Sequence, residues 1–457
     1  MSEVHAPARS ERRLRSLPGT VNMLLRQRDP PRFYLELARR FGPVAYFKFG
    51  PVRSYLVSDP ELIRDVFVTH AKRFGRPLGA KILRNMMLGN GLLTSDGELH
   101  LRQRRMMQPA FHRKRIAGYA DTMVRISQEH ADRWATHPKG TTLDIAQEMM
   151  HLTLAIVGKT LLDADVLRDA PEVGQAMDTL IHAFDRTMSP VHLILGRLGL
   201  RSNEDFFAAR RSLDTIIFRI IEERRQQPGD RGDLLSMLMS AQDDEALDAE
   251  QRHMSNQQVR DEAMTLFLAG HETTALALTW TFMLLSQHPE VLAKLQQEWA
   301  QVLQGRLPGF EDLAALRYTE QVITEVLRLY PPAWLVARAT VHPHQLAGYS
   351  LEPRSGVLVS PYVVHRDPKL YPDPLSFKPE RWTPEFKAGL PKLAYLPFGG
   401  GNRVCIGEGF AWAEAILVLA TLGQRFTLHL RPGHDTRAHA MITLRPKFGM
   451  PMTLEQR

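Results

Sequence analysis

A chain with one cysteine among 457 residues can form no internal disulfide and no multi-cysteine metal centre. That residue, Cys405, lies in the run Phe398-Gly399-Gly400-Gly401-Asn402-Arg403-Val404-Cys405-Ile406-Gly407. Three consecutive glycines give the backbone conformations that other residues resist. Behind the run, Phe410-Ala411-Trp412-Ala413-Glu414-Ala415-Ile416-Leu417 is apolar and alanine-rich, and it predicts a helix ending near Gln424. Cys405 is therefore expected on a loop just before a helix N-terminus, where backbone N–H groups and the helix dipole favour a thiolate. The plain alternative is a structural cysteine buried in a glycine-rich turn.

A thiolate that gives a single strong bond suits axial ligation of haem iron. Glycines let the loop lie flat against a planar cofactor, Arg403 can bind a propionate by charge-assisted hydrogen bonds, and Phe398 can shield the sulfur. The pattern F-x-x-G-x-R-x-C-x-G with a helix behind it resembles the haem-binding signature of the cytochrome P450 family. Asn402 stands where many members carry proline or histidine.

Composition is permissive. Basic residues exceed acidic ones, 58 to 50, for a net charge of +8, and 44% of residues are hydrophobic, enough for a large core. No nucleic-acid-binding motif accompanies the mild positive charge. An acidic protein partner fits it better. The first 28 residues are polar and arginine-rich, with neither a membrane-spanning run nor a signal-peptide core, so no membrane anchor is expected. One cysteine suits a reducing compartment, and a cytoplasmic location is expected.

Residues 1–30 read as a leader, and 31–457 as a single domain, mainly α with a small β region. Arg32 to Phe41 predicts a helix stopped by Gly42-Pro43. Two apolar runs around Gly50-Pro51 predict a hairpin, and Asp59-Pro60-Glu61 starts a further helix. Residues 72–95 read as loop. Six Arg/Lys and no acids occur between His100 and Arg115, a pattern that alone describes a solvated basic helix. From about 117 to 241 the pattern is helical, with an apolar, turn-rich stretch from Thr187 to Ser202. Ser255-x-x-Gln258 is a capping box opening a helix that runs to Gln287, roughly 50 Å long. Its middle, Phe267-Leu268-Ala269-Gly270-His271-Glu272-Thr273-Thr274, places polar groups and a glycine in an apolar helix. Residues 334–364 alternate as strands, expected to pair with the early hairpin at 43–58. Residues 426–453 read as strand and turn. His365-Arg366-Asp367 sits among turn residues and reads as structural.

The resemblance to the family extends along nearly the whole chain and implies roles for these residues. The A-G-x-E-T-T groove would be a widened turn admitting dioxygen, with Glu272 and Thr273 as the catalytic acid–alcohol pair. The cofactor site would comprise His100 and Arg104, one helical turn apart, with Arg338, Phe398, Arg403, Gly407 and Cys405, the last as iron ligand. E-x-x-R followed by Phe377-Lys378-Pro379-Glu380-Arg381-Trp382 would join Glu325, Arg328 and Arg381 in a buried triad, with Trp382 where the family usually has phenylalanine. Phe267, Ala269, Trp334, Leu335, Val336, Met441 and Ile442 would line a hydrophobic pocket. The stretch 187–202 would be an access lid.

The implied activity is that of a bacterial-type, soluble haem-thiolate monooxygenase. It would use haem b, dioxygen and NAD(P)H-derived electrons to hydroxylate a fatty acid, terpenoid or steroid-like molecule. Electrons would come from an acidic ferredoxin or flavodoxin with its reductase, docking on the basic stretch from Arg102 to Arg115. A peroxygenase or isomerase on the same fold, or a haem-based sensor, are the alternatives.

Overall fold

The computed structural model describes residues 29–49, 52–163, 170–188, 204–226, 229–242 and 253–457. Helix α1 (Pro30–Phe41) starts at Asp29, whose side chain accepts from Arg32 N, and ends at Gly42 with φ 83°. Strands β1 (Val44–Phe49) and β2 (Val52–Val57) form the expected hairpin, with Val44 opposite Val57. Strands β3 (Phe74–Gly75), β5 (Val336–Thr340) and β8 (Gly356–Val359) join them in a five-stranded sheet of order β1-β2-β8-β5-β3. The pairing of β2 with β8 is parallel and ties residues 54–57 to 356–359. The hairpin β6 (His344–Leu346) and β7 (Tyr349–Leu351) lies between β5 and β8 in sequence.

The helices follow the apolar periodicity. Among them are α2 (Gly97–Met107), α3 (Arg113–Ala135), α4 (Ile145–Leu162), α5 (Ala170–Met188), α6 (Glu204–Gln226), α7 (Asn256–Gln287), α8 (Arg317–Leu329) and α9 (Glu408–Arg425). Helix α7 begins with the capping box formed by Ser255 and Gln258. It packs along α4, and a Cβ on Gly270 would come 3.1 Å from Val157 Cγ2, so this glycine sets how closely the two helices approach. The largest apolar core joins α3, α4, α7 and α9, with Met123, Ile156, Leu278 and Leu417 fully buried.

Two expectations need correction. Residues 72–95 are not all loop. Leu78–Leu83 is α-helical and Arg84–Leu88 continues as a π-helical turn, although glycines at both ends mask the short apolar period. The C-terminal strands β9 (Phe426–Leu430) and β12 (Pro451–Gln456) do form, with β12 between β9 and the distant β4 (Thr142–Asp144), within the segment read as helical. The hairpin β10 (Ala438–Ala440) and β11 (Leu444–Pro446) lies between them. Among the described residues no helix is long and apolar enough to cross a membrane.

Helix α8 carries the most heavily bonded carboxylate. Glu325 Oε2 accepts from Arg328 Nε at 2.8 Å and from Trp382 Nε1 at 2.8 Å. Its Oε1 accepts from Arg328 Nη2, Arg381 Nε and the Lys378 backbone N–H at 2.9–3.0 Å. Arg328 also donates to the carbonyls of His365 and Pro374, and Arg381 to that of Pro372. A buried charge is tolerated only when its partners replace water so completely. The indole at 382 therefore supplies a bond that phenylalanine could not. His365 is fully buried beside this cluster, accepting from Leu396 N–H at 3.0 Å.

Two other carboxyls are buried with far fewer partners. Glu414 on α9 lies against Thr274 of α7, yet neither carboxyl oxygen makes a hydrogen bond of ordinary geometry. Burial pushes it up to about 8. Glu262 on α7 accepts from Leu92 N–H at 2.8 Å through one oxygen only, and burial pushes it to about 8 as well. Both are therefore carried largely protonated at neutral pH.

Two outcomes follow from these buried acids and the triad. Trp382→Phe should lower folding stability by about 2 kcal/mol, the worth of a hydrogen bond to a charged group, read as a lower denaturant midpoint; an unmoved midpoint would mean the indole bond contributes nothing. Glu414 binds its proton more tightly folded than unfolded, so its contribution is complete below about pH 4.5 and is lost as pH rises through about 8. The stability of Glu414→Gln relative to the parent should therefore rise between pH 5 and 8. A difference independent of pH would refute the neutral buried acid.

Candidate functional site: a cysteine loop facing a cluster of cations

The glycine run is fixed by a contact that no side chain would permit. Gly401 has φ 71°, and a Cβ there would stand 2.0 Å from the Phe67 carbonyl oxygen. Phe67 belongs to a π-helical turn, Asp65–Thr69, which packs directly on the loop. The loop closes by the bond from Cys405 N–H to Phe398 O at 2.9 Å, and α9 starts at Glu408 with Gly407 as its cap. The Phe398 ring leans on Trp412, 5.9 Å between centroids.

The Cys405 side chain is accessible at this loop, although protein crowds it on most sides. That crowding pushes the thiol above its ordinary value, against the Gly407 N–H and the Arg104 charge. The sequence led us to expect the helix start to favour the thiolate. It contributes, but burial outweighs it.

Cations gather beside the loop. Arg403 donates to Ser95 O at 3.1 Å and pairs with Asp96. Arg104 donates to Val404 O at 2.8 Å. Arg338, on β5, lies 4.8 Å over the Phe67 ring. His100 is buried on α2 and pushed down to about 3 by burial and by Arg403, Arg76 and Arg104. Arg76 was not foreseen. It donates to the carbonyls of Ser95 and Leu92, and burial beside Arg403 and Arg338 pushes it down to about 9. Arg338 is pushed to about 10 for the same reasons. Asp96 is the one carboxylate acting on Arg76, His100, Arg338 and Arg403 together. Arg76 fell in the stretch read as loop, where no spacing marked it.

Helix α7 is buried over most of its length. From Val259 to Leu285, Ala269, Gly270 and Thr273 are the only residues not buried. The expected widened turn is not present: α7 stays α-helical throughout, with Thr273 Oγ1 donating to Ala269 O at 2.8 Å and Thr274 Oγ1 to Gly270 O at 3.4 Å. Glu272 is adjacent in sequence to Thr273 but faces elsewhere. Its buried carboxylate accepts from Arg445 Nε at 2.7 Å and from the Thr443 hydroxyl. Thr443 ends the β10–β11 turn and Arg445 lies within β11, and sequence spacing offered no sign of either.

The expected pocket residues divide. Ala269, Leu335, Val336 and Ile442 are at least partly accessible. Trp334 is core: it packs on Tyr34 and donates to Met441 O at 3.0 Å. Met441 is buried in the main core. Phe267 faces a small apolar cavity lined by Leu162, Leu213, Ile217 and Ile220. Of the proposed lid, residues 189–202 lie outside the described residues. In the basic stretch, Arg115 pairs with Asp230 and Arg102 donates to His253 O, while Arg105, Arg113 and Lys114 are exposed. Phe111 within this stretch touches the position of a Gly407 Cβ, so it sits on the cysteine side of the loop.

These residues fit haem. A sulfur is accessible on a rigid loop, basic side chains left under-neutralised beside it suit two propionates, and a narrow accessible window interrupts an otherwise buried helix.

Comparison with known proteins agrees. The family model "Cytochrome P450" matches residues 13–451. Cyclooctatin synthase of Streptomyces melanosporofaciens is 40% identical over 94% of this chain and 92% of that protein. Cyclooctat-9-en-7-ol 5-monooxygenase of the same organism is 36% identical over 91% and 90%. Pentalenene oxygenase of Streptomyces avermitilis is 34% identical over 91% and 90%. The solved retinoic acid bound cyanobacterial CYP120A1 superposes with a TM-score of 0.83 at 27% identity, over 95% of this chain and 96% of that one. With the cysteine loop, the cation cluster and the match along almost its full length, the chain belongs to the cytochrome P450 family and is a monooxygenase.

Proposed function

We propose that this monooxygenase oxidises a cyclic terpenoid, drawing electrons from a separate acidic ferredoxin or flavodoxin fed by NAD(P)H in the cytoplasm. The accessible cysteine beside a cluster of cations carries the reading, and the named relatives direct it toward terpenoids. Family membership brings haem, dioxygen and an external electron supply; haem b is the form we expect.

Haem bound here would supply dioxygen activation, placing one oxygen atom in the substrate and releasing the other as water. Cys405 Sγ would hold its iron, whose charge would offset the burial that disfavours the thiolate. Arg76, His100, Arg104, Arg338 and Arg403 would hold its propionates. Thr273 Oγ1 holds a proton at the α7 window. Glu272, bonded to Thr443 and Arg445, can pass a proton toward Thr273 only by releasing one of these partners. Ala269, Leu335, Val336 and Ile442 offer apolar surface to a hydrocarbon skeleton. Arg105, Arg113 and Lys114, exposed on the stretch whose Phe111 lies against Gly407, offer the charge that an acidic donor would meet.

The test is turnover of the haem-loaded protein with reduced nicotinamide and a surrogate ferredoxin system, across cyclic terpenoids, steroids and fatty acids. Cyclic terpenoids should gain one oxygen atom, at a rate that falls as salt screens the donor's approach. Thr273→Ala should still bind substrate but divert reductant to hydrogen peroxide. Turnover confined to fatty acids would contradict the substrate class, and full coupling in Thr273→Ala would remove that hydroxyl from proton delivery.

A further inference from the structure

Away from the cation cluster, three potential metal ligands from two chain segments meet at the base of the turn that braces the cysteine loop. Asp65 opens the π-helical turn and His70 caps it, the His70 N–H bonding to Asp65 O at 2.9 Å. This closure brings the His70 ring back over the carboxylate, with Nδ1 at 2.6 Å from Asp65 Oδ1. His344, the first residue of β6, reaches the other oxygen from a distant part of the sequence, with Nε2 at 2.6 Å from Asp65 Oδ2. One donor atom from each residue lies within 4.8 Å of the others.

We propose that Asp65, His70 and His344 form a binding site for one divalent transition-metal ion of the zinc type. Two imidazole nitrogens with one carboxylate select zinc, cobalt, nickel or copper over the oxygen-seeking magnesium and calcium. Zinc bonds of about 2.0–2.1 Å set tetrahedral ligand atoms roughly 3.3 Å apart. The 2.6 Å contacts must therefore open by about 0.7 Å, a movement small enough for side-chain rotation.

The site is built unevenly, as a binding site with an entry must be. His344 is 7% exposed and packs edge-on against Phe74, 5.1 Å between centroids. The residue before it is held by the bond from Arg73 Nη1 to Pro343 O at 2.8 Å. The His70 side chain, by contrast, is 44% exposed, and that of Asp65 24%. A metal can enter from the His70 side and keep a water ligand there.

An ion in this position would staple the π-helical turn to the β6–β7 hairpin. The same turn presents the Phe67 carbonyl to Gly401 and the Phe67 ring to Arg338. The metal would thus stiffen one flank of the cysteine loop without touching the cofactor. The inference stands on these three side chains and does not depend on the substrate reading.

The experiment is calorimetric titration of zinc sulfate into the haem-loaded full chain after chelator treatment and desalting. The parent should bind one ion per chain. Asp65→Asn and His70→Ala should each weaken that binding by more than about 100-fold, beyond the usual cost of losing a supporting residue around a metal. Replacement of the exposed His137 should leave it unchanged. Because His344 is buried and its variants can misfold, the more exposed His70→Ala decides: zinc should raise the parent's melting midpoint above its value in chelator and leave that of His70→Ala where chelator sets it. No stoichiometric uptake of zinc, nickel or copper by the parent would overturn the site. So would equal zinc affinity in the parent and His70→Ala.

Discussion

The sulfur of Cys405 is held where the protein alone disfavours its charge. Burial raises the thiol, and neither the Gly407 N–H nor Arg104 fully offsets it. Much of the surrounding architecture reads as the means of keeping that sulfur in place until a cation meets it. Gly401 permits the loop to run against the Phe67 carbonyl, α9 fixes its far end, and the π-helical turn at Asp65–Thr69 supports its flank. Close packing leaves the loop little room to move, so geometry rather than intrinsic acidity makes the ligand.

The cations obey the same economy. Burial, then Arg403, holds down Arg76 and Arg338; burial, then Arg104, holds down Arg403; His100 is pushed toward its neutral form by burial and by its arginine neighbours, and Asp96 is the one carboxylate acting on all four. Such crowding costs stability in the protein by itself and would be relieved by a bound anion, which is what the proposed propionate site needs. The Glu325 cluster is built on the opposite principle. There one carboxylate is fully bonded by two arginines and an indole, and the arginines' remaining N–H groups go to backbone carbonyls, which suits a brace rather than a binding site.

What could be read from the sequence was what local spacing encodes. The cysteine loop, the capped α7, the hairpin β1–β2 and the i, i+3 pair Glu325–Arg328 each declare themselves within a few residues. What could not be read was set by contacts between distant segments. Arg76 joins the cations only because β3 pairs with β5. Thr443 and Arg445 reach Glu272 across about 170 positions of sequence, and they turn its carboxylate away from the neighbouring hydroxyl. Trp334 looked like pocket lining but fills a core with Tyr34. For the thiolate, the sequence showed the helix start that favours it and not the burial that acts against it, which only a folded chain imposes.

The decisive measurement is the absorption spectrum of the reduced, carbon monoxide-treated holoprotein beside that of Cys405→Ser loaded with the same haem. Thiolate ligation shifts the Soret band of the parent to long wavelength, and loss of the sulfur should return it to the position of an ordinary histidine- or oxygen-ligated haem. Identical spectra for the two proteins, or a parent that takes up no haem at all, would contradict the account at its root.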